Sequence, residues 1–218
     1  MKRIAALLSV FILSGCGGSS SPPVVTGPAP TPPSPGSMWS MNYSHPPGSV
    51  AMHPLGDREY FDFPRCAKIS GVLPCSVNYV ERPFGNVAGA PSLTLDYEIT
   101  GDAPTFSHET NVDNTCGGPS TVQLFLRMAG DPNMQNPNSR WFSQPSRQTL
   151  AIRKNTYTVP LTLDQWTPVY PPGQQIFFNM TLGNIATAGF VFGGGCFAGH
   201  GVGLTEGSAR FWVVRFGT

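Results

Sequence analysis

The stretch "SLTLDYEIT" (Ser92–Thr100) decides the fold. Leu93, Leu95, Tyr97 and Ile99 alternate with Thr94, Asp96 and Glu98. A period of two sends one set to a core face and the other to water, as in a strand of an antiparallel sheet. The pattern recurs on both sides. "TVQLFLRMA" (121–129) places Val122, Leu124, Leu126 and Met128 on one face. "TYTVPLTL" (156–163) reads as an edge strand, because Pro160 removes a backbone donor. "EYFDFP" (59–64), "GFVFGG" (189–194) and "SARFWVVRF" (208–216) complete the set, the last as a buried closing strand. "QQIFFNMTLGNI" (174–185) is ambiguous, with Ile176, Phe177 and Met180 fitting one short helical face.

Composition agrees. Gly (25) and Pro (23) are abundant in the 218 residues and charged residues are 11%, which suits short strands and many turns. About eight strands without helix–strand alternation predict an all-β antiparallel sandwich of jelly-roll type, with at most one or two short helices.

The chain opens "MKRIAALLSVFILSGC". Lys2 and Arg3 precede an apolar run from Ile4 to Leu13, too short to span a bilayer and suited to a signal peptide. Leu13-Ser14-Gly15-Cys16 resembles the bacterial lipobox at all four positions. That resemblance implies a signal peptide over residues 1–15, acylation of Cys16 and anchorage to a membrane. Several acyl chains make a stable anchor where one is marginal. Gly17, rather than Asp, after the cysteine resembles sorting to the outer membrane. Residues 16–37 then form an acylated cysteine and a tether. Sixteen of the twenty-one residues from 17 to 37 are Gly, Ser or Pro and none is charged, so the segment lacks the apolar area to offset its ordering entropy. The folded domain is expected over 38–218.

Removing Lys2 and Arg3 leaves 11 basic against 12 acidic residues. No basic stripe stands out, which argues against nucleic acid as a partner. Four cysteines remain besides Cys16. In an oxidising compartment two disulfides are expected, and of the three possible pairings Cys66–Cys75 with Cys116–Cys196 is preferred. No cysteine pair has zinc spacing.

Motifs for chemistry are sparse. "FGGGCFAGHGVGLTEGSARF" (192–211) carries no Lys and gives G-x-G-x-G before a strand, so neither nucleotide fingerprint is met. It reads as the connection between the last two strands. "HETNV" (108–112) lacks the second His of a zinc protease, and no G-x-S-x-G elbow occurs. Asp96 and Glu98 lie two apart on one strand face, where paired carboxylates could cleave a glycoside; a solvated outer face is preferred. Glu109, Asn111 and Asp113 offer oxygens at alternate spacing, which suits either a structural calcium ion or an Asx-rich polar turn. No other cofactor is expected. Trp141 beside Arg140, and Trp166 before Tyr170, are candidates for stacking on sugars, although aromatics are also the main core formers of a small sandwich. His200, between two glycines, is a further candidate contact.

The order "RWFS…TVPLT…DQWTPVY…GFVFGGGCFAGHGV…GSARFWVVRF" resembles a group of uncharacterised bacterial exported proteins. The resemblance covers roughly residues 90–218, and 39–64 more loosely. It implies a galactose-binding-like jelly roll similar to carbohydrate-binding modules, without assigning a function. The resulting expectation is a non-catalytic, lipid-anchored domain that binds a glycan-like ligand at the cell envelope. A structural role in the outer envelope and a glycoside-active enzyme are the alternatives.

Overall fold

A computed structural model of the chain describes residues 38–43, 47–67, 73–108, 117–130, 136–169, 173–194 and 199–218. Cys16 and the tether, Glu109, Asn111, Asp113, Cys116, Tyr170 and Cys196 lie outside the described residues. The expectations placed on them therefore stay expectations.

The strands in chain order are β1 (Ser40–Tyr43), β2 (Gly48–Ala51), β3 (His53–Leu55), β4 (Arg58–Asp62), β5 (Val77–Pro83), β6 (Ser92–His108) and β7 (Thr121–Met128). They continue as β8 (Arg140–Phe142), β9 (Gln148–Thr149), β10 (Arg153–Pro160), β11 (Thr167–Pro168), β12 (Ile185–Gly193) and β13 (Val202–Gly217). One helix, α1 (Gln175–Gly183), precedes β12.

The pairing is that of a long antiparallel ribbon rolled up. β4 pairs β13, β5 pairs β12, β6 pairs β10 and β7 pairs β8, each antiparallel. Rolling brings β13 against β6 and β12 against β7. One layer is thus β3-β4-β13-β6-β10, and the other is β2-β1-β5-β12-β7-β8-β11 with β9 beside β7. This is the double-sheet jelly roll. The layers join along one side, where Val202 of β13 pairs with Val77 of β5.

Aromatic rings fill the space between the layers. β12 has no ladder with β4, and its pairing partners are β5 and β7. Yet Phe192 lies 5.8 Å from Phe61, and Phe190 lies 5.0 Å from Phe211, measured between ring centroids. Such contacts across unpaired strands are face-to-face sheet packing. Phe211 is the hub, with Tyr97 at 5.0 Å and Phe61 at 5.5 Å both stacked on it.

β6 and β13 run on past their expected ends and turn the corner between the layers. Gly101 makes this possible. Its φ is 155°, and a Cβ there would run into the Ser208 carbonyl. The register slips on either side of Glu206, and bulges of this kind bend a strand and raise its twist. The alternating pattern of the earlier strand ends at Thr100, before Gly101-Asp102-Ala103-Pro104. The bulged corner absorbs those residues into the ladder instead.

Other elements also differ from expectation. α1 buries Phe178, Thr181 and Leu182, while Ile176 and Met180 are exposed. The packed face is thus the one opposite Ile176 and Met180, because Phe178 is drawn between Trp141 and Trp166 at 4.9 and 6.2 Å. β13 is not buried on both faces: Arg210 is half-exposed and Val214 and Arg215 are exposed. β10 is an edge strand as expected, pairing among the described residues with β6 alone. Cys66 and Cys75 are disulfide-bonded, with their Cα atoms 6.1 Å apart.

Candidate functional site

The expected stacking platforms are part of the core. Trp141 is fully buried, with its indole N–H donating to the Asn138 carbonyl at 3.0 Å and to Thr181 Oγ1 at 3.1 Å. Trp166 is 3% exposed and donates to the Pro160 carbonyl at 2.8 Å. Neither presents a ring face to a ligand. Both indole groups find protein acceptors in the interior, so burial leaves no donor unsatisfied and the hydrophobic gain decides their place.

Arg140 and His200 are placed elsewhere. Arg140 stands on β8 with Phe142, on the face turned away from the core. There Phe125, Phe142 and Val191 form a second small apolar cluster with Tyr79. Arg140 donates to the Tyr79 hydroxyl and opposes the burial that pushes this phenol's pKa up. His200 is half-buried between Gly199 and Gly201, both at positive φ (86° and 81°). A side chain at Gly199 would meet the Tyr79 hydroxyl at 2.6 Å, so the glycine-rich turn lies against this outer face. Asp96 and Glu98 are ion-paired on the outer face of the other layer: Arg215 reaches Asp96 at 2.7 Å, and Arg58 and Lys154 reach Glu98 at 3.3 and 3.7 Å.

That outer face also carries a groove of about 580 Å³ at the bulged corner. Small-molecule sites typically span about 300–1,000 Å³. β4 and the segment after it contribute Asp62, Phe63 and Arg65; β6 contributes Thr100 and Gly101; β13 contributes Leu204, Gly207 to Arg210, and Trp212. Strand register explains the gathering. Arg210 stands opposite Asp62 on one side and Thr100 on the other, and Trp212 stands opposite Tyr60 and Glu98.

Arg210 and Asp62 form a two-pronged pair, Nε–Oδ1 at 2.6 Å and Nη2–Oδ2 at 2.9 Å. The Asp62 carboxylate holds the guanidinium further into its charged form. The same guanidinium lies 4.0 Å over the Tyr60 ring, and Arg58 lies 4.6 Å over Trp212. Such a planar fork is stiffer than a lone surface ion pair, because pairing and stacking fix it together. Trp212 donates to Thr100 Oγ1 at 3.1 Å, and the Asp102 amide donates to Ser208 Oγ at 3.3 Å. Both hydroxyls thereby accept from the protein and keep a proton to offer a ligand.

Sequence reasoning missed this site, although a signal existed. In "SARFWVVRF" the period of two that sends Phe211 inward sends Arg210 and Trp212 outward. "EYFDF" does the same with Tyr60 and Asp62. Only the pairing of β4 with β13 shows that these two outward sets are neighbours.

Comparison with known proteins finds no similar family model, no similar curated protein and no similar solved structure. Among the described residues, no group of three or more His, Cys, Asp or Glu side chains is arranged to hold a metal ion.

Proposed function

We propose that this chain is an exported, lipid-anchored envelope protein whose jelly-roll domain binds a glycan-like ligand in the corner groove, without catalysis. The observation that carries the reading is the groove's lining. A fixed Arg210–Asp62 fork and the Thr100 and Ser208 hydroxyls share the lining with Trp212, whose indole is 9% exposed and carries the Arg58 guanidinium over its ring. A sugar's neighbouring hydroxyls need paired donors and acceptors, and its C–H faces need an apolar wall. This groove offers both within one lining.

A binding role fits better than cleavage. Glycoside hydrolysis uses two carboxylates flanking the bond, and among the described lining residues only Asp62 is one. The lipobox-like ending at Cys16 and the Gly/Ser/Pro tether support display of the domain at a membrane.

The test is a glycan array followed by titration calorimetry on the best binder, comparing the parent chain with Asp62→Asn and Trp212→Ala. Weakened binding in both variants, with the fold retained by circular dichroism, is the expected result. Unchanged binding would move the site elsewhere, and no binding on the array would favour a structural role in the envelope. Labelling with a lipid precursor, lost in Cys16→Ala, tests the anchor.

A further inference from the structure

The charges of the groove are unbalanced in a way that names a ligand class. Its lining holds two guanidinium groups and one carboxylate. Asp62 is taken up by Arg210 through both oxygens, which leaves Arg65 as the uncompensated charge. Arg65 is exposed, and among the described residues no carboxylate stands within ion-pair distance of it. Asp102, opposite Ser208 in the ladder, does not line the groove.

Arg65 is also held in place. Its backbone makes a parallel bridge with Leu204. The Leu204 amide donates to the Pro64 carbonyl at 2.8 Å, and the Cys66 amide donates to the Leu204 carbonyl at 2.9 Å. The next residue is the disulfide-bonded Cys66. An exposed arginine on a surface loop usually carries no fixed geometry. This one stems from a backbone clamped on both sides and stapled covalently at its neighbour, so less ordering is left for a ligand to impose. The donors facing the groove (Arg65, Arg210, and the Thr100 and Ser208 hydroxyls) outnumber the one charged acceptor, Asp62.

We propose that Arg65 is the carboxylate contact of this groove, and that its ligand is an acidic glycan, a uronate-bearing sugar whose neighbouring hydroxyls meet Asp62 and Arg210. The inference rests on the glycan-binding reading above and deepens it. A planar guanidinium matches a carboxylate with two parallel hydrogen bonds, and the stronger, charge-assisted contact separates an acidic sugar from its neutral twin.

The experiment uses the full-length chain and a panel of acidic oligosaccharides (oligogalacturonate, oligoguluronate and hyaluronan fragments), each beside its carboxyl-reduced, neutral counterpart. At least one acidic member should bind about tenfold or more tighter than its neutral twin, the factor expected for one charge-assisted contact. Rising ionic strength should narrow the gap. Arg65→Gln should abolish the preference while leaving residual neutral binding, and Arg65→Lys should restore part of it. Unchanged melting temperatures would show that both variants fold. Equal affinity for acid and neutral twins overturns the assignment and leaves glycan binding standing, as does a preference that survives Arg65→Gln. No binding of any acidic member overturns it as well, and the neutral members then decide whether glycan binding itself stands.

Discussion

Replacing Trp141 by alanine separates a core role from a ligand role, and its size follows from the structure. The side chain is fully buried and packs against Phe178 with ring centroids 4.9 Å apart. Truncating a buried tryptophan costs about 3–5 kcal/mol, in transfer free energy and in the cavity left behind. The lost indole donor adds little. Thr181 still donates to the Phe177 carbonyl at 2.9 Å, and the half-buried Asn138 can have its carbonyl met by water. For a domain of this size each kcal/mol moves the melting temperature by about 2–4 °C, so a fall of roughly 6–20 °C is expected. Trp141→Phe keeps a ring on Phe178 and should lose about 1–2 kcal/mol. Urea unfolding followed by circular dichroism gives both values, and calorimetry with the ligand gives the second axis. The core placement requires a large loss of stability with ligand affinity unchanged in the fraction that remains folded. A stability change below about 0.5 kcal/mol, the range of ordinary surface substitutions, together with lost binding would refute it.

Other outcomes follow from the same structure. Burial pushes the Tyr157 phenol up to about 12 from its ordinary 10.0. The native state therefore holds a proton that the unfolded chain releases, and stability should fall as pH climbs from about 10 towards 12, by at most ~3 kcal/mol. Tyr157→Phe should flatten that alkaline slope in part, since burial also raises Tyr43 and Tyr79. Opening the Cys66–Cys75 bridge, with Cys66→Ala and Cys75→Ala together, should cost about 2–3 kcal/mol by loop entropy and weaken ligand binding through Arg65, read by denaturant midpoint and by titration. Gly101→Ala should cost well over about 1 kcal/mol, because the φ of 155° disfavours a side chain and a Cβ meets backbone. A chain that tolerates Gly101→Ala without loss would mean that β6 and β13 do not cross as closely as described.

The fold was largely legible. Strict alternation in 92–100 announced a half-buried strand, and Pro160 marked the edge strand, because a period of two and a missing donor are local facts. The strand at 121–129 was legible as a strand, but Thr121–Leu126 is buried on both faces, because Phe125 packs into the outer apolar cluster with Phe142 and Val191. The helix was only half legible. "QIFFNMTLG" carries apolar residues on more than one side, so local pattern could not say which would be buried, and the tryptophans around Phe178 settled it. The extent of β6 and β13 was hidden because their bend uses turn residues, and a bulged corner keeps its ladder through residues that elsewhere would end a strand.

The site was less legible, for a different reason. Trp141 and Trp166 looked like candidates because each stands beside polar or turn residues in the sequence. Whether an indole N–H meets an interior acceptor, as these do at Asn138, Thr181 and Pro160, depends on segments brought together only by folding. Arg210 and Asp62 are 148 positions apart and meet only because β4 is the strand that pairs with β13. By itself, then, the sequence determined the class of fold and the edge strand and favoured the local Cys66–Cys75 bridge among three pairings, since each depends on neighbours along the chain; the connection read over 192–211 is confined to 194–201, because Val202–Phe211 is drawn into the ladder of the last strand. Which tryptophans are core, which outward residues line the groove, and that Arg65 and Arg210 share it were decided by the tertiary structure, because strand order places distant residues side by side and no local pattern encodes strand order.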